Sequence, residues 1–189
     1  MSVPSSNKLR KAARVVGKTL SFRNAGVEDA AFILSLRTDS EKSRYLSAVS
    51  ADIAEQQTWL ARYASLDDQA YFIIEYQGDT IGTVRLYDPQ GASFCWGSWI
   101  LNNNRPSHAA IESALMVYAY AVDCLGFQGS HFDVRRGNER VWQFHERFGA
   151  RRVTETELDY LYNLEIEAIR VAQSRYRRFL PNGVVVSNV

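Results

Sequence analysis

The sequence predicts one mixed α/β (α+β) domain in which helices cover both faces of a central sheet. Residues 93–101 are apolar on both sides of a predicted strand, and such a strand is covered on both sides. Residues 107–125 carry apolar side chains at alternating spacings of four and three, which is the helical period. A chain of 189 residues is long enough for one domain with its own core.

The elements before residue 102 follow from apolar alternation and from turn residues. The first strand places Leu20 and Phe22 on one side. Gly78 and Gly91 mark the two turns of a later meander. The predicted elements are a strand at 19–24, helices at 27–37 and 52–65, and strands at 70–76, 80–87 and 93–101.

The second half of the chain alternates helices and strands before a basic terminal segment. Gly126 ends the long helix, and Gly149 ends the next one. The predicted elements are a helix at 107–125, a strand at 130–134, a helix from Asn138, strands at 152–158 and 160–164, and a helix at 165–179. Up to residue 164 the order is therefore β-α-α-β-β-β-α-β-α-β-β.

Composition excludes several classes of protein. No apolar run approaches the roughly 20 residues that span a bilayer, and the basic N-terminus lacks the apolar block of a secretory signal, so no membrane partner is expected. A net charge of +1 disfavours bulk binding to nucleic acid. We interpret Cys95 and Cys124 as reduced core residues of a cytoplasmic protein. The histidines and cysteines never cluster at metal-ligand spacing, so no metal is expected.

The charge is concentrated near the N-terminus. Six basic residues and no acid precede Glu28. We interpret residues 1–18 as a basic, solvated tail, and an arm that contacts an anionic cofactor or a nucleic acid is the alternative. Residues 19–164 form the predicted domain, and residues 165–189 a helical extension and tail.

The stretch at 138–150 has the most specific pattern. Asn138 is predicted to cap a helix, and Gly149 to end it. One face of this helix is apolar, through Val141, Phe144 and Phe148. His145 lies at the edge of that face.

This stretch and the order of elements resemble the GNAT family of N-acetyltransferases, in its RimJ/RimL-like branch. The resemblance covers about residues 20–164. Residues 132–138 and 144–150 look most like members that acetylate amino groups on sugar nucleotides. The resemblance implies acetyl-CoA as co-substrate and direct attack by a primary amine. A protein N-terminus or a small amine is the alternative acceptor, and the helical extension could lie across a partner in a homodimer.

The resemblance also implies where acetyl-CoA would bind. The family's phosphate loop precedes the long helix, where Arg105 and Ala110 match its first and last positions and His108 replaces the usual glycine. A helix N-terminus suits phosphate because its N–H groups are free. The backbone of Trp99, Ile100 and Leu101 would hold pantetheine and supply an oxyanion donor. The implied cofactor residues are Trp99, Ile100, Leu101, Arg105, Ser107, His108, Ala109, Ala110, Asn138 and Arg140.

The acid and the base are expected near the last helix and the strand before it. In the family a tyrosine usually protonates the departing thiolate, and His145 stands in its place, able to donate as a neutral ring or as imidazolium. Asp133 shares one face of its strand with His131 and Arg135, and it is the first candidate for the base. Glu112, Asp88, Glu75 and a chain of waters are the alternatives.

Two other functions remain open at this point. The replacements at positions 108 and 145 also fit a non-catalytic acyl-CoA-binding module. The basic arm and the arginine-rich end fit a nucleic-acid contact, which the net charge makes the weaker hypothesis.

Overall fold

The computed structural model describes residues 7–188, which form one nine-stranded sheet with helices on both faces. The strands are β1 Ala12–Val16, β2 Leu20–Asn24, β3 Ala70–Tyr76, β4 Asp79–Gln90, β5 Ser93–Leu101, β6 Gly129–Arg135, β7 Arg151–Glu155, β8 Asp159–Glu165 and β9 Val185–Asn188. The helices are α1 Ala30–Arg37, α2 Ile53–Ser65, α3 Ala109–Tyr118, α4 Glu139–Arg147 and α5 Ile166–Arg175. The predicted mixed fold is confirmed.

Short helical segments extend three of these helices. A 3-10 turn at Val27–Asp29 leads into α1, and a π-helical segment at Ala119–Cys124 continues α3. A second 3-10 turn at Arg177–Phe179 follows α5.

The sheet has the order β7-β8-β6-β5-β4-β3-β2-β1-β9. Its neighbours are antiparallel except β5 and β6, which are parallel. The long α3 with its π-helical continuation connects these two strands, as a parallel crossover requires.

Alternation along β3 shows how the helices divide between the two faces. Tyr71 and Ile73 pack into a smaller core with α1 and α2. Phe72 and Ile74 point the other way into the main core, which includes the apolar side of α3. Successive side chains of a strand point to opposite faces, so β3 belongs to both cores.

The N-terminal segment is more ordered than the sequence indicated. Residues 12–16, interpreted above as part of a tail, form β1, and Ala12 and Val15 are fully buried. Lys11 Nζ donates to the carbonyl of Tyr63 at 2.8 Å, and Arg14 pairs with Glu75 at 2.8 Å. These basic side chains are thus engaged within the fold.

The C-terminal segment closes the same edge of the sheet. β9 pairs antiparallel with β1, with Val186 opposite Val15. The predicted helix at 165–179 agrees with α5 and its 3-10 turn. Cys124, expected in the core, is exposed, whereas Cys95 is buried. Within residues 7–188, none of the helices has the length and apolar character needed to cross a bilayer.

Candidate active site

The centre of the sheet contains an opening between β5 and β6. The two strands pair at Ser93 with Gly129 and at Phe94 with Ser130. Further along β5 the register against β4 is irregular, and Ser98 adopts a φ of 46°. Non-glycine residues seldom adopt a positive φ, and such strain is concentrated at functional sites. Beyond the two pairs, β5 and β6 have no further paired residues, which leaves this edge of β5 free.

Two adjacent cavities occupy this opening. The first has a volume of about 390 Å³ and lies between the carboxyl ends of β5 and β6, with α4 and the end of α1 beside it. The second has a volume of about 320 Å³ and lies between β5 and the start of α3. Trp99 and Val141 line both cavities, so the two form one groove.

The groove brings together most of the predicted cofactor residues. Those lining the second cavity are Trp99, Ile100, Leu101, Arg105, Ala110 and Arg140. Asn138 lines the first cavity. The remaining predictions, Ser107, His108 and Ala109, line neither cavity. Ala109 is fully buried, so only its backbone could contact a ligand.

The start of α3 has free hydrogen-bond donors. The helix begins at Ala109, two residues later than predicted. Among the described residues, the backbone N–H groups of Ser107, His108, Ala110 and Ile111 have no protein acceptor. Such a group of free N–H donors at a helix N-terminus suits a phosphate. The residues present therefore fit the diphosphate of a coenzyme A.

The side chain of His108 makes structural contacts away from the two cavities. Its Nε2 lies 2.7 Å from Thr19 Oγ1 and 3.5 Å from Glu112 Oε2. Glu112 is fully buried and accepts hydrogen bonds from the backbone N–H groups of Thr19 at 2.6 Å and Leu20 at 2.9 Å. Glu112, an alternative for the base, is thus a structural carboxylate outside both cavities.

Helix α4 places His145 at the opening, between Trp96 of β5 and Phe132 of β6. The capping role predicted for the Asn138 side chain is wrong, because that side chain makes no cap hydrogen bond. Its backbone carbonyl instead accepts from Val141 and Trp142, each at 3.1 Å. Gly149 ends the helical turn with a φ of 100°, as predicted. The Asn138 side chain is left to line the first cavity.

His145 is buried in an aromatic environment. Its ring centroid lies 4.3 Å from that of Phe132, 5.2 Å from Trp96 and 6.3 Å from Trp99. Its Nδ1 is buried without a hydrogen-bond partner. Burial lowers the pKa of His145 to about 3, because the apolar surroundings penalise the charged form. The ring is therefore neutral at neutral pH, and of the two forms expected from the sequence only the neutral donor is available.

Asp133 lies on β6 at the first cavity. It is exposed, and the predicted alternation holds, because Phe132 and Val134 are buried on the opposite face. The neighbouring Cys95 is not a nucleophile in this state, since burial raises the pKa of its thiol to about 11.

The other two candidate bases are held outside the groove. Asp88 Oδ2 lies 3.2 Å from His131 Nε2. Glu75 pairs with Arg14 at 2.8 Å and with Arg23 at 3.0 Å. Neither carboxylate lines either cavity.

Two arginines that line the first cavity, Arg37 and Arg85, were not predicted from the sequence. For Arg85 the available signal was a charged residue between the apolar Val84 and Leu86 of β4. Within residues 7–188, no group of three or more histidine, cysteine or acidic residues could hold a metal ion.

The buried histidine should make stability depend on pH. Its pKa is about 3 in the fold and near 6.5 in the unfolded chain. Between these values the unfolded chain binds a proton that the fold excludes, so stability falls as pH falls below 6.5, by up to about 1.4 kcal/mol per pH unit. We expect His145→Phe to lose this part of the decline in urea unfolding at pH 6.5 to 4.5. Equal pH dependence in both proteins would contradict it.

Comparisons with known proteins identify similar acetyltransferases. The family model described as an acetyltransferase (GNAT) domain matches residues 19–151. A structure described as apo FdhC, a nucleotide-linked sugar GNAT, is 36% identical, covers 92% of this chain and 99% of its own, and has a TM-score of 0.78. No curated protein sequence matches significantly.

Two further structures share the fold at lower identity. A GCN5-related N-acetyltransferase from Brucella melitensis is 18% identical, with a TM-score of 0.75 over 93% of this chain and 88% of its own. A chimera of the spermidine N-acetyltransferase SpeG from Vibrio cholerae and hSSAT is 14% identical, with a TM-score of 0.69 over 81% of this chain and 99% of its own.

Proposed function

Because the chain belongs to the GNAT acetyltransferase family, we propose that it transfers an acetyl group from acetyl-CoA to the primary amine of a nucleotide-linked sugar. The observation that supports a nucleotide-linked sugar as the acceptor is the 36% identity, over 92% of the chain, to a protein described as a nucleotide-linked sugar GNAT. The match covers nearly all of both chains, so a shared class of acceptor is the simplest inference.

The groove suits the donor. Acetyl-CoA supplies an activated acetyl thioester. The free N–H groups at the start of α3 would hold its diphosphate, with Arg105 nearby in the second cavity. Arg105 is itself fixed, because its Nη1 donates to the carbonyl of Asn102 at 2.8 Å. Trp99, Ile100 and Leu101 would hold the arm along the open edge of β5, which leads toward His145.

The acceptor amine must lose a proton before it attacks, because an ammonium has no free electron pair. Asp133 is the carboxylate of the first cavity that we assign as its base, either directly or through a water. We assign His145 as a hydrogen-bond donor to the leaving sulfur. The carbon–sulfur bond breaks as the carbon–nitrogen bond forms, the amine proton goes to Asp133 or its water, and CoA departs as a thiolate, because its thiol has a pKa of roughly 8.5. A neutral ring has one N–H, and an orphan donor costs more than an orphan acceptor, so we place the proton on Nε2 and leave Nδ1 as the acceptor.

The donor is tested by thermal unfolding with acetyl-CoA, ATP or NAD. A ligand at about 100 times its dissociation constant adds roughly 2.7 kcal/mol. For a domain of this size that raises the midpoint by several degrees. We expect the rise with acetyl-CoA alone. No rise at saturating acetyl-CoA, or an equal rise with ATP, would contradict the assigned donor.

The acceptor is tested by offering three amines with acetyl-CoA and detecting the acetylated product by mass spectrometry. The three are an amino-sugar nucleotide, spermidine and a short peptide with a free N-terminus. We expect turnover of the amino-sugar nucleotide in preference to the other two. Preferred turnover of the peptide would instead support the protein N-terminus as acceptor.

A further inference from the structure

The first cavity contains an arginine whose donors are not all used. Arg37 is the last residue of α1, and it lines the cavity together with His145. Its Nη1 donates to Ser98 Oγ at 3.2 Å and its Nη2 to the carbonyl of Ser47 at 3.0 Å. Its Nε is buried and makes no hydrogen bond, and the hydroxyl of Tyr71, also buried without a partner, is close enough to interact with the guanidinium. The guanidinium is therefore incompletely paired, and an anionic oxygen that reaches its Nη atoms would add bonds that it lacks.

A second arginine enters the cavity from β4. Arg85 Nε donates to Gln69 Oε1 at 2.7 Å. The guanidinium carbon lies 4.9 Å from the ring centroid of Tyr87 and 5.2 Å from that of Trp59. The rings hold the guanidinium in place and leave its two Nη atoms without a hydrogen-bond acceptor in residues 7–188. Burial lowers the pKa of Arg85, yet a guanidinium remains charged at neutral pH.

Neither guanidinium has a counter-ion in the described part of the chain. All ion pairs found there at 4 Å or less involve other residues. The contrast is Arg135, which lines the same cavity and pairs with Asp159 at 3.3 Å. Asp133 lines the same cavity but pairs with neither arginine at 4 Å or less. Two neighbouring half-buried cations without an ion-pair partner repel each other and lose hydration. An anionic ligand would reverse both effects.

We propose that Arg37 and Arg85 bind anionic oxygens of the acceptor, those of a phosphate or a carboxylate. The site deepens the proposed function and rests on it. The phosphates of the donor are an unsuitable source, because neither arginine lines the second cavity or the start of α3. The planar fork of a guanidinium matches either type of anion with two hydrogen bonds. The two arginines would then favour binding of a negatively charged acceptor in the same cavity as His145.

The first test compares acceptors that carry the same amino sugar. The nucleotide diphosphate, the sugar 1-phosphate, the corresponding amino uronic acid and the uncharged methyl glycoside are assayed at saturating acetyl-CoA. We expect at least one anionic acceptor to exceed the methyl glycoside by about 100-fold in kcat/KM, which is the effect of one charged hydrogen-bonded pair. The favoured anion identifies its source as phosphate or carboxylate. Equal kcat/KM for charged and uncharged acceptors would overturn the proposal.

The second test applies the same ratio to variants. In Arg85→Met and Arg37→Gln we expect the preference for the anion to fall at least tenfold. Arg62→Met, at an exposed arginine of α2, is the matched control and should keep the full preference. Each ratio is taken within one protein, so partial unfolding cancels. An unchanged ratio in both cavity variants would overturn the proposal.

A binding measurement separates this proposal from the proposed function. Inorganic pyrophosphate and glucuronate are titrated by calorimetry into protein saturated with CoA, so that the donor site is filled. We expect one of them to bind to the wild type at least tenfold more tightly than to Arg85→Met. Equal binding to the two proteins, or none, would overturn the anion site even if amines are acetylated. Binding without turnover of any amine would refute the proposed function alone.

Discussion

Replacing His145 by phenylalanine is expected to lower kcat by about 100-fold, which is the lower end of the cost of removing one hydrogen-bond donor to a developing anion. Phenylalanine preserves the aromatic packing against Trp96 and Phe132 but removes both ring nitrogens. The neutral ring is the form present in the fold, because burial lowers the pKa of His145 to about 3. The measurement is steady-state acetyl transfer at saturating acetyl-CoA.

His145→Tyr is the matched variant, because a phenol restores a donor and tyrosine is the residue that the related enzymes were expected to carry. We expect it to recover part of the lost kcat. The rise in thermal midpoint with acetyl-CoA should persist in both variants, which separates a chemical role from a binding role. Wild-type kcat in His145→Phe would show that the ring only fills space.

Replacing Glu112 by alanine is expected to lower the free energy of unfolding by about 3–5 kcal/mol, because three donors lose their acceptor and each unsatisfied buried group costs roughly 1–3 kcal/mol. The carboxylate is fully buried and accepts from the N–H groups of Thr19 and Leu20 and from the Thr19 hydroxyl at 2.6 Å. Alanine leaves these donors without partners. Urea unfolding at neutral pH measures the loss.

Glu112→Gln is the control for this change. Both backbone N–H groups donate to Oε1, so an amide oxygen in that position keeps them satisfied. We expect a loss of about 1 kcal/mol, the value of a typical hydrogen bond. Because the contact anchors β2 to the start of α3, the alanine variant should also show a smaller thermal response to acetyl-CoA. A loss below 1 kcal/mol in Glu112→Ala would contradict this role.

The strands and helices with regular patterns could be predicted from the sequence. β3 and β5 have the predicted bounds because each is rich in apolar residues and lies between turn residues. β1 was missed because its few buried residues are small and stand between basic ones, which is also typical of a tail. β9 is short, and its pairing partner is β1, which was itself not predicted. Pairing between distant segments leaves little trace in local sequence.

The site could be predicted only in part. The open edge of β5 and the phosphate loop were implied by the resemblance to the acetyltransferase family, and the helical period placed the start of α3 within two residues. It could not locate the distortion at Ser98, because a positive φ at a non-glycine residue has no sequence signal. The role of Arg37 and Arg85 could not be predicted either, because it depends on which cations form no ion pair within the folded residues 7–188.

The most direct test of the central claim is the release of free CoA thiol from acetyl-CoA in the presence of an amino-sugar nucleotide. The same nucleotide sugar with a hydroxyl in place of the amine is the control. We predict release only with the amine, accompanied by an equal amount of N-acetylated sugar. Release at the same slow rate with both sugars, by a protein that still binds acetyl-CoA, would contradict the account, and it would favour a non-catalytic acyl-CoA-binding module if spermidine and the peptide also remain unacetylated.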